Sequence, residues 1–474
     1  MKTALAGAAT LTATSFVLVG YTDSTSPEPA EQQRPNVVVI MTDDMRVDDL
    51  AAMPQTRQLL GGDNGARYTS AYASTPLCCP SRATFLTGQY SHNNGVHDNL
   101  GADGGMDALD DSSTLPVWLQ RGGYQTVMIG KYLNGYGTPE DGVEDTYIPP
   151  GWDHWAGLPD DTVNNYTDFD VTVGSSTPDA AGVGETKHVA NGYQTWNLTS
   201  RAVNRIGSSV PAEQPMFMWL NFFAPHDGGG DFPHRFVPAE PQYRGDSRVG
   251  LPASPAVDEF RVNDKPPWIR DLPRLTAGQE SDIVTQRRER RDSLKSVDDS
   301  VGRVVDALRA SGELDNTVIV FTSDNGWMLG EHRIGAGKVF PYLEAAEAPL
   351  LIRGPGFTPG VHSEPVSNVD LAPTIAALAG ATPGLPVDGM PLTDPIPADR
   401  PILIEFLGDH PADLGMPPYS GVIQNGEVYI EYTTGARELY DMTEDPSQQR
   451  NLAGDASQRA VRQDLAATLD HLRA

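Results

Sequence analysis

Four short apolar runs in this chain end in polar residues that can carry chemistry. Val37 to Met41 leads into Thr42-Asp43-Asp44, and Val127 to Ile129 leads into Gly130-Lys131. Met216 to Phe223 leads into Ala224-Pro225-His226, and Val318 to Phe321 into Thr322-Ser323-Asp324-Asn325. Runs that are continuous rather than alternating, and rich in β-branched and aromatic residues, predict strands buried on both faces of a parallel sheet. Ligands in open α/β sheets gather beyond the carboxyl ends of such strands. The pattern therefore predicts one sheet edge that holds Asp43, Asp44, Lys131, His226, Asp324 and Asn325.

Elsewhere the apolar period changes to three and four. Leu294, Val297, Val301, Val304, Val305 and Leu308 predict an amphipathic helix within Val284 to Ala310, with the basic run Arg287 to Arg291 as its solvated face. Val369 to Ala379, closed by Gly380, predicts a second helix. Tyr136 to Asp179 and Gly228 to Leu275 are dense in Gly, Pro and Asp and read as long surface loops, the usual carriers of specificity. Past Pro386, the segments Ile402 to Phe406, Val428 to Tyr432 and Glu438 to Asp441 predict short antiparallel strands, and Ser457 to Leu472 a terminal helix. The expected fold is α/β. A large mixed, mostly parallel sheet sandwiched by helices spans residues 34–385, and a smaller C-terminal α+β subdomain with an antiparallel sheet spans 386–474.

The amino terminus reads differently. Lys2, an apolar small-residue stretch from Ala4 to Gly20 and a polar segment from Thr22 to Gln33 have the grammar of a signal peptide followed by a flexible linker, residues 1–33. Thr10, Thr12, Thr14 and Ser15 leave the stretch short of the ~20 apolar residues of a membrane span. A secreted or extracytoplasmic protein without a stable membrane partner is expected. Leu18-Val19-Gly20 looks like a lipobox, but Tyr21 stands where the lipidated cysteine would be, which argues against lipid anchoring.

At 474 residues the chain can bury a large core. Its formal charge of -29 excludes nucleic acid or an anionic membrane as a diffuse partner, because no broad basic face can steer a polyanion. An acidic protein can still bind an anion locally, through a metal and a few converging basic groups. Asp43, Asp44, Asp324 and Asn325 are hard oxygen donors that suit Ca²⁺ or Mg²⁺ rather than zinc. Taken singly, Asp324-Asn325-Gly326 is a common turn; the metal reading comes from both pairs standing at strand ends.

Cys78 and Cys79 are the only cysteines, so no remote disulfide is possible. By themselves they could be a vicinal disulfide, a metal site or two packed thiols. Pro76 to Gly88, P-L-C-C-P-S-R-A-T-F-L-T-G, contains C-x-P-x-R with Cys78 first and Arg82 fifth. This resembles the first signature of the formylglycine-dependent (type I) sulfatases of the alkaline phosphatase superfamily. Gly123 to Leu133 is similar to the second signature. Pro35 to Asp44, Ala224-Pro225-His226, Thr322 to Gly326, Lys338 with Tyr342-Leu343-Glu344, and Pro349 to Gly356 fall in family order. G-K-Y-L-N-G-Y-G, K-P-P-W-I-R and E-L-Y-D-M-T-E-D-P look like the branch of N-acetylglucosamine-6-sulfatases and heparan 6-O-endosulfatases.

The resemblance implies an alkaline phosphatase-like fold and a sulfuric ester hydrolase. Cys78 becomes formylglycine through a formylglycine-generating enzyme, and its hydrate is the nucleophile and a metal ligand beside Asp43, Asp44, Asp324 and Asn325. Arg82 holds the hydrate, while Lys131, Lys338 and His226 contact the sulfate, and His226 or Lys338 protonates the departing alcohol. Sulfate then leaves by elimination. Many sulfatases place a histidine two residues past the Lys131 position to assist this step; Leu133 stands there, so the elimination base is unassigned. The implied substrate is a sulfated carbohydrate, such as 6-O-sulfated N-acetylglucosamine, or an aryl sulfate. A phosphonate monoester or phosphodiester hydrolase of the same superfamily, and an inactive sulfated-glycan-binding protein, are the alternatives. Glu405 and His410 are candidate sugar contacts. His332 reads as a loop residue, His92 and His97 as hydrogen-bonding partners near the first signature, and Cys79 as a packed neighbour.

Overall fold

Thr317–Ser323, Asn36–Thr42, Met216–Asn221 and Gln125–Lys131 lie side by side, in that order and all parallel. The computed structural model describes residues 34–138, 143–209, 214–228, 236–409 and 414–474, with a few isolated positions before residue 14. Most of the expected leader and linker falls outside the described residues. Residues 34–474 hold together as one unit.

The four strands occupy the middle of a ten-stranded sheet among the described residues. The apolar runs are continuous because both sheet faces are covered. Val37, Val39 and Met41 enter one core while Val38 and Ile40 enter the other. Val318 and Val320 divide from Ile319 and Phe321 in the same way. One face carries the helices Cys78–Thr87, Leu115–Arg121 and Leu371–Ala379, the last closed by Gly380 at φ 63°. The other carries Gln194–Ser209 and Ala277–Ala310. The 34-residue helix starts at a capping box of Thr276 and Gln279. It buries Leu294, Val297, Val301, Val304, Val305 and Leu308, each worth about 1.5–3 kcal/mol, so packing rather than propensity holds it.

Two expectations need correction. The segment read as a loop between Tyr136 and Asp179 supplies the strands His154–Leu158 and Asp168–Gly174 to the large sheet. Phe169 and Val171 are buried while Asp168 is exposed, an alternation too short to stand out among the surrounding Gly, Pro and Asp. The basic run on the long helix is not a solvated face. Arg290 is 1% exposed and donates to the carbonyls of Asp44 and Pro225, while Arg287 and Arg291 pair with Asp48. Their acidic partners lie some 240 residues earlier in the chain, so no local pattern reveals them.

Past residue 386 the strands Ile402–Phe406, Tyr419–Gln424, Glu427–Tyr432 and Arg437–Asp441 make an antiparallel meander, followed by the helix Arg459–Leu472. The second of these was not expected. The apolar core under this sheet includes Tyr72, Leu77, Met328, Val339, Phe340 and Tyr342 from the larger part of the chain. Glu405 N–H also donates to Ser74 O at 2.7 Å. The C-terminal sheet is thus tied to the segments that flank Cys78 and Lys338.

Candidate active site

Each of the four strands runs out of apolar residues at the same edge, and the chain there turns polar while still covered by protein. Asp43, Asp44, Lys131, Asp324 and Asn325 are all buried. Beneath them begins the Cys78–Thr87 helix, whose ten residues are all buried. Leu77 offers no side-chain cap; the Asn99 side chain, from a separate loop, accepts from Cys79 N–H at 2.9 Å instead. Arg82, one turn on from Cys78, donates to Asp324 Oδ2 at 2.8 Å, to Lys131 O at 3.2 Å and to Asn221 Oδ1 at 3.3 Å. Asn221 was legible in principle, as the one polar residue in its apolar run.

Cys78 sits at the centre. Its thiol donates to Asp43 Oδ1 at 3.0 Å, and Lys338 Nζ donates to its sulfur at 2.6 Å. Lys338 also donates to Asp44 Oδ1 at 2.6 Å, and Lys131 to Asp43 Oδ2 at 2.5 Å. His226 Nε2 lies 3.5 Å from Asp44 Oδ2, with its Nδ1 2.9 Å from Asp227 O. Asn325 Nδ2 donates to Asp44 Oδ1 at 2.7 Å, and Asp44 N–H donates to Asp324 Oδ1 at 3.0 Å. The residues expected at the sheet edge therefore do meet around one thiol.

Electrostatics shows what the cluster suits. Burial would raise the Asp43 carboxyl, but Lys131, His226, Arg82 and Lys338 hold it well below the usual carboxylate range. Asp44 is likewise lowered against burial, chiefly by Lys338 and His226. Asp324 is raised, by burial and by Asp43, against the pull of Arg82. The Cys78 thiol is pushed well above its ordinary value by burial, Asp324 and Asp43. A thiol so placed stays protonated and is a poor nucleophile. Burial similarly pushes the Cys79 thiol up to about 12.

Three carboxylates, Asp43, Asp44 and Asp324, face three cations, Arg82, Lys131 and Lys338, so the protein's own charges sum to neutrality. Two acceptors are nevertheless left over. Asp44 Oδ2 and Asn325 Oδ1 are buried without a donor. Ligand atoms of Asp43, Asp44, Cys78 and His226 lie within 4.8 Å of one another. Orphaned hard oxygens among carboxylates fit a divalent cation such as Ca²⁺ or Mg²⁺. That ion would also give the site the positive charge needed to receive an anion.

Residues 35–381 match the Sulfatase family model. The chain belongs to the sulfatase family. An arylsulfatase of Volvox carteri is 34% identical over 408 residues, 80% of this chain and 61% of that protein. The human N-acetylglucosamine-6-sulfatase is 33% identical over 366 residues, 74% of this chain and 62% of that one. This sulfatase thus spans less than two thirds of the length of these relatives. A solved protein in complex with its substrate D-glucosamine-2-N,6-O-disulfate superposes with a TM-score of 0.73 at 26% identity, covering 93% of this chain and 97% of that one. The fold is accordingly the alkaline phosphatase-like one expected.

Three further positions concern the sulfatase chemistry. Leu133 is 1% exposed and belongs to the apolar core that also holds Tyr132 and Tyr136. Glu405, a candidate sugar contact, is 1% exposed and turned inward, accepting from His92 N–H at 3.1 Å with its carboxylate 3.0 Å from His92 Nδ1. That bond raises His92 above its ordinary value. His410 lies outside the described residues.

Proposed function

We propose that this chain is an exported sulfuric ester hydrolase that removes sulfate from a sulfated carbohydrate, with 6-O-sulfated N-acetylglucosamine as the substrate of first choice. Residues 1–33 are its leader and linker, 34–385 its catalytic part and 386–474 its C-terminal subdomain. No described helix is long and apolar enough to cross a membrane. One observation carries the reading: adjacent strand ends and the segment that carries Lys338 surround the Cys78 thiol with carboxylates and ammonium groups, in an environment that suppresses the thiolate.

Asp43, Asp44, Asp324 and Asn325 would hold Ca²⁺, or Mg²⁺, with formylglycine derived from Cys78 by a formylglycine-generating enzyme. Together these groups supply Lewis-acid polarisation of the sulfate and a hydrated aldehyde as nucleophile. The chain's own residues do the rest. Arg82, locked to Asp324 and Asn221, holds the helix start that presents position 78. Lys131 and Lys338, bound to Asp43 and Asp44 respectively, neutralise charge on the sulfate oxygens. Burial would lower the Lys338 ammonium, but Asp44, with Asp43 and Asp324, outweighs it and keeps the group protonated. It can donate its proton to the departing alcohol oxygen, with His226 as the second candidate.

The test joins mass to rate. Mass spectrometry of the Cys78 peptide should show a loss of about 18 Da on conversion of the thiol to an aldehyde. Initial rates should rank a 6-sulfated N-acetylglucosamine and an aryl sulfate above a phosphonate monoester. Preference for the phosphonate, or turnover by a fully unmodified enzyme, overturns the proposal. An unmodified protein that binds sulfated glycans without turnover favours the binding-protein reading.

A further inference from the structure

Lys338 does not stand on a strand or a helix. It lies on an irregular segment whose backbone is forced into the left-handed region at His332 (φ 54°), Arg333 (φ 65°) and Val339 (φ 72°). Such angles are costly for residues with a Cβ, above all for β-branched valine, and persist only where the surroundings impose them. The Val339 end is pinned on both sides. Val339 N–H donates to Pro76 O at 2.9 Å, and Tyr419 OH donates to Val339 O at 3.0 Å. Met328 and Gly337 exchange backbone bonds across the base of the segment.

The other end closes on a buried pair that catalysis does not use. His332 is fully buried, with Nδ1 2.7 Å from Glu259 Oε2. Its ring stacks on Tyr342 at 3.9 Å between centroids. One side chain thus grips both ends of the stretch that carries Lys338, since Tyr342 lies just beyond it. His332 N–H donates to Ala256 O at 2.8 Å, and Arg333 donates to the carbonyls of Glu259, Phe260 and Leu272. Lys265 lies 3.9 Å from Glu259, over the Tyr440 and Tyr342 rings, and Tyr342 OH donates to Glu438 at 3.3 Å.

We propose that the Glu259–His332 pair is the positioning device for Lys338, holding the segment from His332 to Tyr342 in the single conformation that aims the ammonium at the sulfate. The assignment rests on the sulfatase reading given above. Burial pushes the Glu259 carboxyl up to about 8, against Lys265, while burial and Lys265 lower the His332 imidazole well below its usual value. The contact is therefore a hydrogen bond between uncharged partners. It gives direction without depending on salt, as suits a part that holds geometry rather than charge. Glu259 belongs to the stretch read as a specificity loop, so the pair joins that loop to the catalytic lysine.

The experiment is a double-mutant cycle on the full chain with position 78 converted. His332→Phe keeps the ring stack and removes the bond; Glu259→Gln keeps a hydrogen-bonding partner. His332→Phe should lower kcat about tenfold or more with KM within about twofold, because misplacing a reacting group by an ångström or less costs this much. Glu259→Gln should retain most of the wild-type kcat. In a Lys338→Ala background, His332→Phe should have no further effect, since the group it positions is gone. An equal loss in both backgrounds, or an unchanged kcat in the well-folded single variant, overturns the proposal. Hydrogen exchange supplies a readout without turnover: amides of residues 334–341 should exchange faster in His332→Phe than in wild type. If the wild type hydrolyses no sulfate ester, the sulfatase reading fails and exchange alone decides. Acceleration confined to 334–341 then supports the positioning role, and unchanged exchange rejects it.

Discussion

Two buried polar clusters, one around Cys78 and one under the C-terminal sheet, differ in what they leave unsatisfied. Under the sheet, Glu438 accepts from the hydroxyls of Tyr342, Tyr432 and Tyr440, and Lys265 donates to Tyr440 OH at 2.9 Å and to Gln448 O. Glu438 keeps no orphaned oxygen, although Gln448 Nε2 and, next to this cluster, Glu259 Oε1 and His332 Nε2 are buried without a partner. Around Cys78 the contacts are as short, yet Asp44 Oδ2 and Asn325 Oδ1 find no donor. An orphaned buried oxygen costs about 1–3 kcal/mol, and for two of them on one carboxylate cluster the cation proposed above would offset that cost. The first cluster gathers donors about one carboxylate; the second leaves two hard acceptors among carboxylates, the arrangement a cation suits.

That contrast is testable at three strengths. The largest effect should come from Arg82→Ala, which removes the guanidinium that pairs with Asp324 at 2.8 Å and leaves that buried carboxylate without its cation. Urea unfolding should show a loss of about 3–5 kcal/mol. A loss below about 1 kcal/mol would mean that the charges around Cys78 are not held as the geometry implies.

Next in size is the response to metal. Ca²⁺ at a hundred times its dissociation constant should stabilise the wild type by about 2.7 kcal/mol, read as a rise in melting temperature that a chelator reverses. Asp44→Ala should abolish that shift. A calcium response that survives Asp44→Ala would place the ion elsewhere.

The smallest effect concerns pH, and its sign differs between the clusters. Asp43 is depressed, so its contribution is present above its unfolded value and fades as pH falls through the still lower folded value, in the acid limb. Glu259 is raised to about 8, so its contribution is fully present below its unfolded value of 4.5 and is lost as pH rises from there through 8. Glu259→Gln should flatten the decline in urea midpoint between about pH 5 and 8 while leaving the acid limb intact. An unaltered decline would remove Glu259 from that limb.

Legibility in the sequence followed locality. Asp43, Asp44, Lys131, Asp324 and Asn325 could be found because each ends an apolar run, and Cys78 and Arg82 because C-x-P-x-R resembles a sulfatase signature. Arg290 and Asn99 could not. Arg290 grips Asp44 from the middle of a long helix, and Asn99 caps the Cys78 helix from a loop with no periodicity. Tyr419–Gln424 was missed because its short run is broken by Gly421. Glu405, read as a candidate sugar contact, is buried with its carboxylate on His92, a partner more than 300 residues away in sequence.

By itself the sequence determined the strand set, the helices that cover it and the chemical types brought to one edge. Those follow from the burial period and from which residue ends each run, both local properties of the chain. Tertiary structure alone decided that three carboxylates and three cations cancel around one thiol, leaving two oxygens without a donor. It alone turned Leu133 into the core and brought Glu259 to His332. Those outcomes depend on distances between segments far apart in the chain, set by how the layers pack rather than by any residue's neighbours in sequence.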